Sequence, residues 1–174
     1  ERKLEGIGLR VNTLRDLSSE RSVDRQFITR EAAATRLGEL FEEDRDEIAK
    51  DQRLYTTIGV IEKNTDLFEL SLGLYSQGVL GFYVRDEDKL YVVKDSEELT
   101  PANERTYVHE FVHALQEQHF DSHATFESID GNSDATGALL ALLEGDATLA
   151  ESAYIFEFMD EAEREASQPE ISSA

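Results

Sequence analysis

The segment Thr106-Tyr107-Val108-His109-Glu110-Phe111-Val112-His113-Ala114-Leu115 constrains this chain more than any other stretch. Thr100 followed by Pro101 reads as a helix start, a capping hydroxyl and then proline at the first helical position, so a helix is predicted to run to about His119. On that helix the two histidines, four residues apart, stand on one face, one turn above the other. Their imidazoles can reach a single tetrahedral zinc ion at about 2.0–2.1 Å each. Glu110 is angled beside such a metal rather than at it, where it can take a proton from a zinc-bound water. The metal lowers the pKa of that water toward about 7, so a carboxylate can serve as base at neutral pH. The competing reading is a surface helix carrying an incidental histidine pair.

A hydrolytic zinc site needs a third protein ligand and an open position. Glu144, in Leu142-Leu143-Glu144-Gly145-Asp146-Ala147, is the candidate. Its helical neighbours are Leu140, Ala141, Ala147 and Thr148, and a carboxylate among such residues ionises unfavourably unless it meets a cation. Gly145 is expected to let a second backbone come close, as two helices sharing one metal require. The alternative is a Glu144 that is partly exposed or paired with an arginine.

No cysteine is present, which excludes disulfides, thiolate ligands and a cysteine nucleophile, and leaves His, Asp, Glu or water to hold any metal. The formal net charge of −21 repels phosphate backbones and anionic membranes, so nucleic acid is not an expected partner. Acidic residues on solvated helix faces account for most of that charge; attraction of cations or basic peptides is the functional reading. No stretch approaches the ~20 apolar residues needed to cross a bilayer, so no membrane insertion is expected. The start at Glu1 and the polar end from Ser167 to Ala174 read as a piece of a longer precursor. Together with the peptidase-like motif, they point to a secreted or extracytoplasmic location.

The rest of the chain reads as one domain spanning 1–174, α+β and mostly helical. Residues 1–28 read as an irregular N-terminal segment and 165–174 as a flexible tail. Thr29 caps a predicted helix over 30–43, with Ala33, Leu37, Leu40 and Phe41 on one stripe. Further helical patterns run through Ile48, Leu54, Ile58 and Ile61, and over 66–76. Phe82-Tyr83-Val84 and Leu90-Tyr91-Val92-Val93, joined by five polar residues, predict a β-hairpin beside the motif helix. Residues 120–132 read as a loop, and Ser133 as the cap of a last helix reaching about Arg164.

Taken together, these residues resemble the zincin metallopeptidases of the gluzincin group, over about 66–160. In that group HExxH on one helix is completed by a Glu on a later one, which the aminopeptidase branch carries in a Leu-x-Glu-Gly-x-Ala context like Leu142 to Ala147. The flanks agree with the extended signature: Thr106 three residues before the first His, uncharged Tyr107, Phe111, Val112 and Ala114, and an apolar Leu115 at the close. The resemblance implies a minimal zincin-like fold holding one Zn2+, with His109, His113 and Glu144 as ligands and Glu110 as base and acid. It also implies a strand that holds an extended peptide over the cleft. The thermolysin-like pattern places an Asp four residues after the ligand Glu; here Thr148 stands there and Asp146 lies two residues on, and either can serve behind a ligand histidine. For the oxyanion donor, Tyr154, His119 and His123 are candidates, each reading more readily as structural. His119 lies six residues past His113 and points away from the zinc face, where it can close the helix near its C-terminal dipole. Asp121 with His123 in a polar loop reads as surface rather than as a second metal site.

Two functions follow as expectations. The first is a zinc-dependent metallopeptidase acting on a peptide or protein. The second is a non-catalytic zincin-like binding or assembly module, and a metal-free acidic scaffold is a third possibility. Oligomeric state and cleavage preference leave no trace in the sequence.

Overall fold

The computed structural model describes residues 2–84, 87–94 and 98–168. It is mostly helical with a small three-stranded sheet, an α+β architecture. The chain divides into two compact units, one of residues 28–79 and one combining residues 1–27 with 80–174.

The smaller unit is three helices, α2 (Arg30–Glu43), α3 (Arg45–Thr57) and α4 (Leu67–Gly78). Thr29 and Asp66 cap α2 and α4, each accepting a backbone N–H two or three residues into its helix. Phe41 of α2 meets Phe68 of α4 edge-on at 6.3 Å, and Arg45 lies over the Phe68 ring at 4.1 Å.

The larger unit contains the motif helix. Its sheet has the order β1 (Asp24–Ile28), β3 (Lys89–Val93), β2 (Gly81–Val84), with β2 and β3 antiparallel and Tyr83 opposite Leu90. The expected hairpin is present. Its central strand is the apolar run, and Leu90 to Val93 are all buried, as a strand covered on both faces requires. Of the connecting residues, 85 and 86 lie outside the described residues.

Against the sheet packs α5 (Pro101–Phe120). Thr100 and Asn103 form a reciprocal capping box, and the Asn103 side-chain amide also donates to the Val93 carbonyl, which ties the helix start to the end of β3. Tyr107, Val108, Phe111, Val112, Ala114 and Leu115 are each at most 4% exposed. A helix buried on this much of its surface has no room for unpaired charge, which is the physical basis of the uncharged flanks around the two histidines.

The segment 1–28, expected to be irregular, instead supplies α1 (Arg2–Arg15) and β1. Leu4, Ile7 and Val11 form a buried stripe at helical spacing. Gly6 and Gly8 lower the helix propensity and obscured that stripe. Gly8 earns its place, because a Cβ there would lie 3.2 Å from the Phe111 ring.

The 120–132 loop contains a further helix, α6 (Ser122–Ser128), which begins where Asp121 turns left-handed and accepts the Ala124 N–H. α7 (Ser133–Phe158) starts from Asn132 rather than Ser133 as its cap and ends earlier than expected, at an extended Met159. Asp160 then caps α8 (Glu161–Ala166). Arg164 folds back to donate to the carbonyls of Phe156 and Met159, satisfying the end of α7. The expected tail thus begins inside α8, Ser167 is buried, and residues 169–174 lie outside the described residues. Among the described residues no helix is long and apolar enough to cross a membrane.

Candidate metal centre

α5 and α7 pack against each other, and their facing sides bring His109, His113 and Glu144 together. His109 Nε2 lies 3.2 Å from His113 Nε2 and 3.2 Å from Glu144 Oε2. His113 Nε2 lies 3.5 Å from Glu144 Oε1. Ligand atoms at 2.0–2.1 Å from a tetrahedral zinc sit about 3.3–3.4 Å apart, so the trio already has the span such an ion needs. These three residues are the one group among the described residues with metal-holding geometry.

The donor chemistry agrees. His109 Nδ1 faces Glu151 Oε2 at 3.1 Å, and donation to a carboxylate requires the proton on Nδ1. Gln116 donates its amide to the Leu143 carbonyl and to Asp146, which leaves its oxygen to accept from His113 Nδ1 at 2.8 Å. Both rings therefore turn an Nε2 lone pair toward the same point, where Glu144 adds a carboxylate oxygen. Such a set of acceptors fits a cation.

Arginines anchor both supporting groups. Arg105 donates to Glu151 at 2.6 Å, and Arg15 pairs with Asp146 at 2.7 Å. Burial opposes charge on His109, but the Glu151 hydrogen bond and the charges of Glu110, Glu151 and Glu144 raise its pKa above the ordinary value. Burial likewise works against Glu151, yet hydrogen bonds and charge from His109 and Arg105 hold it below the usual carboxylate range.

Glu110 lies beside the trio and faces β2. Burial pushes its pKa up to about 7; the His109 charge and a hydrogen bond from the Tyr83 backbone N–H oppose this, while Glu144 and Glu151 reinforce it. The hairpin register explains the Tyr83 contact. Val93 N–H donates to the Leu80 carbonyl, so by antiparallel alternation the backbone groups of Gly81 and Tyr83 point off the outer edge of β2. Gly81 permits the close approach, since a Cβ there would lie 3.0 Å from Thr106 Cγ2 and 3.7 Å from Glu110 Cγ.

Several expectations change. Gly145 does not mediate helix contact: a Cβ added there meets nothing within 4 Å. Glu144 is not enclosed by apolar side chains; its side chain is 54% exposed, and Leu142 and Thr148 on the same stretch of α7 are exposed too. It meets the two imidazoles rather than an arginine.

Asp146 reaches His113 through Gln116, and Thr148 is exposed. Tyr154 is fully buried, donating to Glu104 at 2.7 Å and accepting from Arg10, with burial pushing its pKa up to about 12. That hydroxyl is committed to these core partners. His119 binds the Ser18 carbonyl and His123 faces Glu127, both away from the trio.

Glu151, Gln116 and Arg105 are the contributors the sequence reading missed. Each stands at helical spacing from a member of the trio: seven after Glu144, three after His113 and four before His109. That spacing was the available signal.

No family model matches the chain, and neither the curated proteins nor the solved structures contain a match.

Proposed function

We propose that the chain is a zinc-dependent metallopeptidase of the zincin type, similar to a minimal gluzincin, acting on a peptide or protein. One observation carries the reading: two imidazole nitrogens and a carboxylate oxygen from two helices converge at zinc-ligand spacing, with Glu110 beside them. His109, His113 and Glu144 would hold the ion, which when bound would supply Lewis acidity toward water and a substrate carbonyl.

The protein's own residues do the rest. Glu110, held by the Tyr83 N–H, accepts a proton from the attacking water and passes it to the leaving amine.

The test is Glu110→Gln in zinc-loaded protein, scored on a peptide library and by metal analysis. Zinc retention with hydrolysis reduced about 10²–10⁴-fold supports the reading; unchanged hydrolysis refutes the assigned base.

The second reading is a non-catalytic zincin-like binding module. The burial of the Tyr154 hydroxyl favours it, because this leaves the oxyanion without an assigned donor. Zinc uptake without hydrolysis of any peptide by the wild-type protein selects it.

A further inference from the structure

We propose that Glu151 is the positioning residue of the metal centre, locking His109 in the tautomer and orientation that aim Nε2 at the cation, with Arg105 holding Glu151 in place. The proposal rests on the metal-centre reading and adds to it a residue outside the ligand set.

Glu151 follows Glu144 by two turns on α7, so a single helix face presents both carboxylates to the same ring. Glu144 meets Nε2 of His109 and Glu151 meets Nδ1. The two acids differ in setting. Glu144 is more than half exposed, whereas the Glu151 side chain is only 8% exposed. A carboxylate that buried is unfavourable unless both oxygens are engaged. Both are: Oε2 takes the His109 Nδ1–H and Oε1 takes Arg105 Nε–H at 2.6 Å. Arg105 is itself fixed, because its Nη1 donates to the Ser167 carbonyl just past α8. The chain of contacts therefore runs from the end of α8 through a guanidinium and a buried carboxylate to a ligand ring.

The partner histidine is treated differently. His113 Nδ1 meets the neutral Gln116 amide. A carboxylate behind a ligand histidine raises its basicity as well as fixing its rotation; an amide does chiefly the second. The structure thus assigns His109 as the ligand whose geometry and donor strength depend on a charged support.

The experiment compares wild type, Glu151→Ala and Glu151→Gln, the last retaining shape and an acceptor without charge. Zinc affinity is read by competition with a chromophoric chelator, and the His109 tautomer by long-range proton–nitrogen NMR of the metal-free protein. Glu151→Ala should weaken zinc binding about 10–100-fold and give His109 a mixture of tautomers, while His113 keeps its own. Glu151→Gln should fall between wild type and Glu151→Ala in affinity, and it serves as the decisive variant if Glu151→Ala does not fold.

A merely structural Glu151 would lower the melting temperature but leave the tautomer and the affinity of the folded protein unmoved. Wild-type zinc affinity in Glu151→Gln, or an unmoved His109 tautomer in Glu151→Ala, overturns the proposal. If wild type takes up no zinc, the metal-centre reading fails instead, and the tautomer measurement, which needs no metal, still decides whether Glu151 positions the ring.

Discussion

Glu144 and Glu151 meet His109 from its two opposite nitrogens, at 3.2 Å from Nε2 and 3.1 Å from Nδ1. The arrangement separates a proposed ligand from its support on one helix. Glu144→Ala should therefore weaken zinc binding by more than the ~10–100-fold that loss of a supporting residue causes. Chelator competition measures it, and a Glu144→Ala protein with wild-type zinc affinity would remove Glu144 from the ligand set.

Tyr154→Phe separates core from chemistry. The buried hydroxyl bridges Glu104 and Arg10, so its removal should destabilise the fold by about 1–3 kcal/mol in urea unfolding. Hydrolysis by the remaining folded protein should stay within about twofold of wild type; a loss of about 10²-fold or more, the scale of a deleted oxyanion donor, would return Tyr154 to the mechanism.

The pH dependence of the metal-free protein follows from Glu110, whose pKa rises from 4.5 to about 7 on folding. The folded protein then keeps a proton that the unfolded chain has released, so the unfolded state binds fewer protons across that window. The stability contributed by the neutral carboxyl is complete below about 4.5 and is lost as pH rises through about 7, by at most on the order of 3 kcal/mol. Wild type should lose more stability between pH 5 and pH 8 than Glu110→Gln in metal-free denaturant titrations. Parallel pH profiles would contradict the burial of that carboxylate.

Two glycines should respond in opposite ways. Gly145 lies within α7 with open space where a Cβ would point, so Gly145→Ala should stabilise by about 1 kcal/mol, or about 2–4 °C in melting temperature. A Cβ at Gly81 would lie 2.9 Å from the Tyr91 carbonyl oxygen and 3.0 Å from Thr106. Gly81→Ala should destabilise by about 1–3 kcal/mol and draw β2 away from Glu110, lowering hydrolysis. Calorimetry orders the two, and a stabilised Gly81→Ala would refute the close approach.

The parts of the fold legible in the sequence were those with strong local signals. The capped start at Thr100, the histidine spacing on α5 and the continuous apolar run of β3 each fixed an element without help from the rest of the chain. β1, by contrast, has the polar sequence Asp-Arg-Gln-Phe-Ile and is a strand because β3 offers it an edge, a tertiary cause with no local trace. α1 hid behind Gly6 and Gly8, and α6 behind a polar stretch opened by a left-handed Asp121.

At the centre, the argument from apolar neighbours misjudged the exposure of Glu144, because only Ala147 of those neighbours is buried while Leu140, Ala141 and Thr148 are exposed. Glu151 and Gln116 escaped because nothing in a linear reading says which face of α7 meets which ring of α5 until the two helices are packed.

The most direct measurement is a crystal soaked in zinc and read by anomalous scattering at the zinc edge. One peak about 2.0–2.2 Å from His109 Nε2, His113 Nε2 and a Glu144 oxygen is the predicted result. A protein that takes up no zinc, or a peak elsewhere with Glu144 turned away from the imidazoles, would contradict it.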